Sequence, residues 1–181
     1  MSELLKALVV EDYEDDALLV IRELRRGGFN VEWERIQTAS EMQHALREKI
    51  WDVVISDYNL PQFSAPVALE TLKHSGHDIP FIVVSGEIGE ELAVETMKAG
   101  AHDYLMKGNL SRLSEAVRRE IREARLRIEH KHAENTLKEN DIPIGNENSR
   151  SVYVVPEARP ANTYTASLKK RVKPKASQPV F

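Results

Sequence analysis

Apolar runs of strand length alternate with longer stretches of helical period along the first 140 residues. The runs fall at 7–10, 31–36 (which alternates), 53–55, 79–84 and 104–106. Between them, apolar positions recur every three to four residues over about 15–26, 40–48, 66–74, 90–99 and from Leu110 onward, the spacing of one helix face. Local signals predict where these helices begin and end. Ser40 with Gln43 has the form of a capping box, Pro66 suits a first helical turn, and Gly27-Gly28 and Gly100 suit C-terminal stops.

Five strand–helix units in succession predict a parallel sheet with helices on both faces. Short, wholly apolar strands such as 53–55 are what burial on two sides demands. In a doubly wound sheet of strand order 2-1-3-4-5, the ligand crevice opens at the carboxyl ends of the first and third strands. Those strands end in Glu11-Asp12 and in Asp57.

The last helical stretch is longer than a sheet crossover needs. From Leu110 to about residue 138 nothing interrupts it, and a helix of roughly 29 residues runs about 43 Å. An apolar stripe at Leu113, Val117, Ile121, Ala124 and Ile128 gives way to Lys131 and Asn135 at the same spacing. Two readings stay open: a packed helix with a solvated extension, or a helix that pairs with another chain. Beyond Asn140 the character changes, because 141–181 hold five of the eight prolines and no sustained period, the mark of a disordered tail. Val152–Val155 is a lone strand candidate there.

Charge sharpens the division. Residues 141–181 carry seven Lys/Arg against three Asp/Glu, so the first 140 carry −8 of a total of −4. An acidic globular part argues against nucleic acid as its ligand, and no helix-turn-helix or zinc pattern supports direct DNA binding. There is no cysteine, which removes disulfides, thiol catalysis and cysteine zinc sites. The N-terminus lacks a signal-peptide pattern, and no apolar run approaches the ~20 residues of a membrane span, so a cytoplasmic protein without a membrane partner is expected.

The chemistry-bearing residues share one address. Glu11-Asp12, Asp57, Ser85 and Lys107 close strands one, three, four and five. Magnesium asks for oxygen ligands; Asp12 and Asp57 each offer one, Glu11 offers another directly or through water, and the Asn59 carbonyl a further one. Asp57 is the candidate nucleophile for an aspartyl-phosphate. Magnesium on one side and Lys107 on the other would neutralise a phosphoryl group; the Ser85 hydroxyl can donate to one of its oxygens, and Gly86 allows close backbone approach. Any one of these residues alone reads as a turn, cap or solvated charge. All of them on carboxyl ends of strands do not.

The pieces Leu8-Val9-Val10-Glu11-Asp12, Val54-Ile55-Ser56-Asp57-Tyr58-Asn59-Leu60-Pro61, Ile82-Val83-Val84-Ser85-Gly86 and Gly100-Ala101-His102-Asp103-Tyr104-Leu105-Met106-Lys107 together resemble the receiver domain of bacterial two-component response regulators, over about 5–125. The resemblance implies a flavodoxin-like receiver fold at 1–127, a helical extension at 128–140 and a tail at 141–181. It implies Asp57 as phosphoacceptor, Glu11 and Asp12 as the acidic pair for Mg2+, Lys107 as the phosphate-binding lysine, and Ser85 and Tyr104 as the switch pair. Asn59 and Glu87 correspond to positions that modulate phosphoryl lifetime. The implied partners are a histidine kinase or phosphotransfer protein and a downstream protein. A homodimer through the fourth helix, fifth strand and fifth helix, or through the extended fifth helix, is also implied. One departure is Gly108, where the family commonly has proline after the lysine. A non-proline residue disfavours a cis bond, so a trans Lys107–Gly108 bond and an altered following loop are expected.

Two other classes compete. An aspartyl-phosphate phosphohydrolase would place its nucleophile after the first strand with a second acid two residues on, whereas Asp57 follows the third and Asn59 takes that second place. A flavodoxin-like cofactor binder would need a phosphate-cradling loop after the first strand, which is missing. His130 and His132, two apart on a helix, do not share a face and read as solvated. Trp33 and Trp51 read as packing residues, and the basic run at 169–175 reads as part of a soluble terminus.

Overall fold

Each apolar strand hands the chain to a helix that carries it back to the sheet's starting edge, and parallel pairing follows from those crossovers. The computed structural model describes residues 2–61, 63–86 and 89–140, with side chains to Thr136. In chain order the elements are β1 (Glu3–Val10), α1 (Glu14–Arg26), β2 (Phe29–Ile36), α2 (Ala39–Glu48), β3 (Val53–Asp57), α3 (Ala65–Ser75), β4 (Phe81–Ser85), α4 (Glu90–Lys98) and β5 (Asp103–Met106). A 3-10 turn (Lys107–Arg112) then leads into α5 (Leu113–Asn140). The tail expected at 141–181, with its strand candidate and basic run, and the Glu87 position lie outside the described residues.

The strands pair in parallel in the order β2-β1-β3-β4-β5, as expected from the alternating pattern. Side chains along each strand point alternately to the two faces, and both faces are buried. Leu5, Ala7, Val9, Ile55, Ile82 and Val84 pack with α1 and α5. Leu8, Val10, Val54, Phe81 and Val83 pack with α2 and α3. Trp51 is buried there with its Nε1 donating to the Ala45 carbonyl at 2.9 Å, and Trp33 is partly buried against the other core, so both tryptophans pack.

Several local expectations shift. β1 and β2 start earlier than their apolar runs, and β4 starts after Pro80, which has no N–H for the ladder. The capping box of α2 is Thr38 with Glu41, not Ser40 with Gln43. Thr38 is the last extended residue, so its Oγ1 accepts from the Glu41 amide at 3.2 Å while the Glu41 carboxylate accepts from the Thr38 amide. Leu110 does not open the last helix, because Asn109 leaves helical geometry (φ −138°, ψ 54°) and α5 proper starts at Leu113. The Lys107–Gly108 bond is trans, as for every peptide among the described residues.

The stripe on α5 buries Leu113, Val117, Ile121 and Ala124 but leaves Ile128 exposed. From Arg125 to Thr136 every side chain is exposed, His130 and His132 included. α5 is held at both ends of its packed part. Near its start, Ser114 lies so close to Gly27 that a Cβ at Gly27 would sit 1.9 Å from Ser114 Oγ and 2.3 Å from its Cβ. Gly27 thus does more than stop α1: it admits α5. Near the end of the packed part, Arg127 makes a double hydrogen bond to Asp78 at 2.9 and 3.2 Å. The same guanidinium lies 3.2 Å from His102 Nε2, whose Nδ1 accepts from the Phe81 amide at 3.0 Å.

Two outcomes are expected. Gly27→Ala should lower stability by about 2–3 kcal/mol through overpacking against Ser114, read as a lower urea midpoint at unchanged slope. Burial first, and then the Arg127 charge, hold the His102 pKa below its ordinary value, against the opposing pull of Glu120 and Asp78. The unfolded chain therefore binds this proton more readily, and stability from this group is lost as pH falls from about 6.5 toward the depressed folded value. His102→Asn keeps an acceptor for the Phe81 amide without titrating. Its urea midpoint should fall less than that of the wild type between pH 7 and 5.

Candidate functional site

The register of the sheet brings the chemistry-bearing residues to one rim. Val10 lies opposite Ser56, Asp57 opposite Val84, and Ser85 opposite Met106. Glu11, Asp57, Ser85 and Lys107 therefore emerge at neighbouring carboxyl ends of β1, β3, β4 and β5. Oxygens of Glu11, Asp12 and Asp57 lie within 4.8 Å of one another. Like charges at that spacing repel strongly where water is scarce, and Glu11 is only 3% exposed.

Lys107 relieves part of that repulsion. Its Nζ donates to Glu11 Oε2 at 2.9 Å and to Asp16 Oδ2 at 2.5 Å, and stands 3.5 Å from Asp57 Oδ2. Burial pulls the lysine pKa down, but the hydrogen bonds to Asp16 and Glu11 outweigh it and the ammonium form is stabilised. Burial pushes the Glu11 carboxyl up, against the hydrogen bond from Lys107. Asp57 is likewise raised, by burial first and by the Asp12 charge, against the attraction of Lys107.

The oxygen set fits a divalent cation. Asp12 Oδ1 is the buried side-chain oxygen among the described residues that has no hydrogen-bond partner. An orphaned buried acceptor is costly, and it belongs to the three-carboxylate cluster. Hard carboxylate oxygens are what Mg2+ takes. The backbone of the acidic pair is braced from β2, where Arg35 Nη1 donates to the carbonyls of Glu11 and Asp12, both at 3.1 Å. The Glu11 side chain is fixed further by the Tyr13 amide at 3.1 Å.

The remaining expected residues lie nearby in different settings. Ser85 is buried at 1% exposure. Tyr104 is partly buried against the α2–α3 core. Asn59 follows β3 and is exposed. Close approach does not require a glycine at 86, since a Cβ there would meet nothing nearer than Lys107 Cδ at 3.9 Å; the space beside the lysine is open. Two participants escaped the sequence reading: Arg35, whose strand alternates without marking it, and Asp16. Asp16 had a signal, because it extends the buried stripe Val20 and Leu24 by one turn at i, i+4, i+8. A carboxylate in line with an apolar stripe faces the site rather than the solvent.

A family model described as the response regulator receiver domain matches residues 7–118, more than half of the 181-residue chain. Among curated proteins, the transcriptional regulatory protein ZraR of Salmonella typhimurium is 29% identical over 119 residues, covering 65% of this chain and 26% of that protein. The transcriptional regulatory protein PrrA of Mycobacterium tuberculosis is 32% identical over 105 residues, covering 56% of this chain and 43% of that protein. The chain thus spans less than half the length of either relative. Among solved structures, FixJ-N superposes with a TM-score of 0.58 at 28% identity, covering 67% of this chain and 96% of that one. A response regulator receiver domain protein from Clostridium thermocellum gives 0.59 at 26% identity, covering 67% and 98%.

The crowding of Glu11, Asp12 and Asp57 sets an expectation for stability without metal. At neutral pH the folded state holds carboxylates whose pKa values are raised above their unfolded ones, which costs folding energy until they protonate. Asp57→Ala should therefore raise the melting temperature of the metal-free protein by about 2–5 °C, the scale of ~1 kcal/mol. Magnesium should then stabilise the wild type more than the variant. Differential scanning fluorimetry with EDTA and with Mg2+ reads both.

Proposed function

The chain belongs to the response regulator receiver domain family of two-component signalling, and we propose that Asp57 accepts a phosphoryl group from phosphohistidine on a histidine kinase or phosphotransfer protein, in a magnesium-dependent reaction. The observation that carries this reading is the three-carboxylate cluster at 4.8 Å or less with the orphaned Asp12 oxygen inside it and the Lys107 ammonium against it.

In this reading an Asp57 oxygen attacks phosphorus in line, the P–N bond to the donor imidazole breaks, and the acyl phosphate remains on Asp57. Glu11, Asp12, Asp57 and the Asn59 carbonyl would hold Mg2+, which when bound supplies charge neutralisation to the phosphoryl oxygens. Lys107 donates to one of those oxygens. Arg35 keeps the acidic pair oriented. Ser85, at the end of β4, moves to donate to another phosphoryl oxygen, and Tyr104 follows into the space it leaves.

The readout we propose is a protein-contact surface formed by α4, β5 and α5, altered by a shift between two packings of one fold. Its support is the thin packing of α4: Thr96 is its one buried residue, while Val94 and Met97 are exposed. A weakly held helix with apolar side chains in water is ready both to move and to dock. A second copy of the chain through that face, or along the exposed part of α5, is one such partner. The transcriptional roles in the names of ZraR and PrrA describe those longer proteins; for this chain we favour protein contacts over direct DNA binding. No described helix is long and apolar enough to cross a membrane, and we propose the cytoplasm, where the kinase transmitter would be met. We assign 1–127 to the receiver and 128–140 to its helical extension.

The test is intact mass after incubation with Mg2+ and acetyl phosphate. One added phosphoryl group on the wild type and none on Asp57→Ala is the expected result. Labelling of both proteins would move the acceptor elsewhere, and steady phosphate release without a labelled species would favour a phosphohydrolase.

A further inference from the structure

Lys107 is shared among three carboxylates, and the nearest of them is outside the metal cluster. Asp16 Oδ2 lies 2.5 Å from Nζ, Glu11 Oε2 2.9 Å and Asp57 Oδ2 3.5 Å. An ammonium has three donors and no acceptor; two of them are used on Glu11, just past β1, and on Asp16 in α1, while Asp57 at the end of β3 stands as an ion-pair partner. Glu11 and Asp57 belong to the set of oxygens gathered for a cation, and Asp16 does not.

We propose that Asp16 is a positioning residue that holds Lys107 in the resting state, so that forming the phosphorylated state exchanges the ammonium from Asp16 to a phosphoryl oxygen on Asp57. The inference rests on Asp57 being the phosphoryl acceptor, as set out above. A cation bound to Glu11 and Asp57 cancels much of their pull on Lys107, which leaves Asp16 as the carboxylate that competes with the phosphoryl group. A phosphoryl group carries more charge than a carboxylate and wins, but by a margin that Asp16 reduces.

The surroundings suit a reversible exchange. Glu11 is almost fully buried and cannot lose a partner cheaply, whereas the Asp16 side chain is 38% exposed and stands in the first turn of α1. There water and the helix N-terminus stabilise a released carboxylate. Gly86 presents no side chain to the lysine stem, since even a Cβ there would come no nearer than 3.9 Å to Lys107 Cδ. Asp15 is the natural control: it neighbours Asp16 on the same turn and carries the same charge, but is exposed and makes no ion pair to Lys107.

Beryllofluoride, a phosphoryl mimic that binds aspartate, reads the exchange as an equilibrium. Its dissociation constant with Mg2+ would be measured by calorimetry for wild type, Asp16→Asn, Asp16→Ser, Asp16→Glu and Asp15→Asn. The expected result is about tenfold tighter binding for Asp16→Asn and Asp16→Ser, the loss of one charge-assisted competitor. Asp16→Glu and Asp15→Asn should stay within twofold of the wild type. Melting curves of the same variants separate a folding defect from the exchange, and two neutral substitutions guard against one failing to fold. Affinity for both neutral variants equal to or weaker than that of Asp15→Asn would overturn the assignment. A wild type that binds no beryllofluoride would overturn the acceptor reading itself, and the Asp16 exchange with it.

Discussion

A parallel sheet buried on both faces has no interior position for a charge, and that constraint organises the rest of the molecule. Burying an unpaired carboxylate among Val9, Ile55 and Val84 would cost far more than the strand could return. In β3 and in the buried half of β1 (7–10) charge is therefore met only past the apolar run, whereas the edge strand β2 carries Glu32, Glu34 and Arg35 along its length. In parallel strands the carboxyl ends lie together along one rim. β1, β3, β4 and β5 end within a residue or two of one another in register, so Glu11, Asp57, Ser85 and Lys107 meet without any long loop to position them. The site is the sheet's edge condition.

What collects there is more negative charge than one lysine can balance. Glu11, Asp16 and Asp57 lie within 3.5 Å of the Lys107 ammonium, and Asp12, clustered with Glu11 and Asp57, has an Oδ1 with no hydrogen-bond partner among the described residues. The folded state tolerates this because the core on either side of the sheet is well filled, and because Arg35 and the Tyr13 amide hold the acidic pair in place. Such local frustration, supported by a rigid scaffold, is what the proposed binding of a cation and a phosphoryl group would relieve. The lysine is then the element with a choice of partners, which is why the carboxylate nearest to it, Asp16, matters beside the proposed acceptor Asp57.

The opposite rim is quieter and does a different job. Asp78, His102 and Arg127 tie α5 to the chain before β4 and β5, and Gly27 lets α5 settle against α1 at its other end. α5 is thus clamped over its first half, while α4, with Thr96 as its one buried residue, is not. In the proposed readout, the contrast between a firmly held α5 and a loosely held α4 is what would let a small change at β4 and β5, the two strands that carry Ser85 and Tyr104, alter the surface they share.

Periodicity alone determined the element order, the parallel sheet and the site address, because two-sided burial writes itself as apolar runs and rim charges follow them directly. The acidic pair, Asp57 and Lys107 were legible for that reason. Boundaries were less so: Thr38 displaced Ser40 as the cap of α2 because capping depends on which residue is last extended, and α5 began at Leu113 because Asn109 left helical geometry. Only the tertiary structure decided that Lys107 turns to Asp16, that Arg35 braces the pair from β2 and that Ser114 needs Gly27. Each of these joins residues far apart in sequence, through distances that packing sets and that no local pattern encodes.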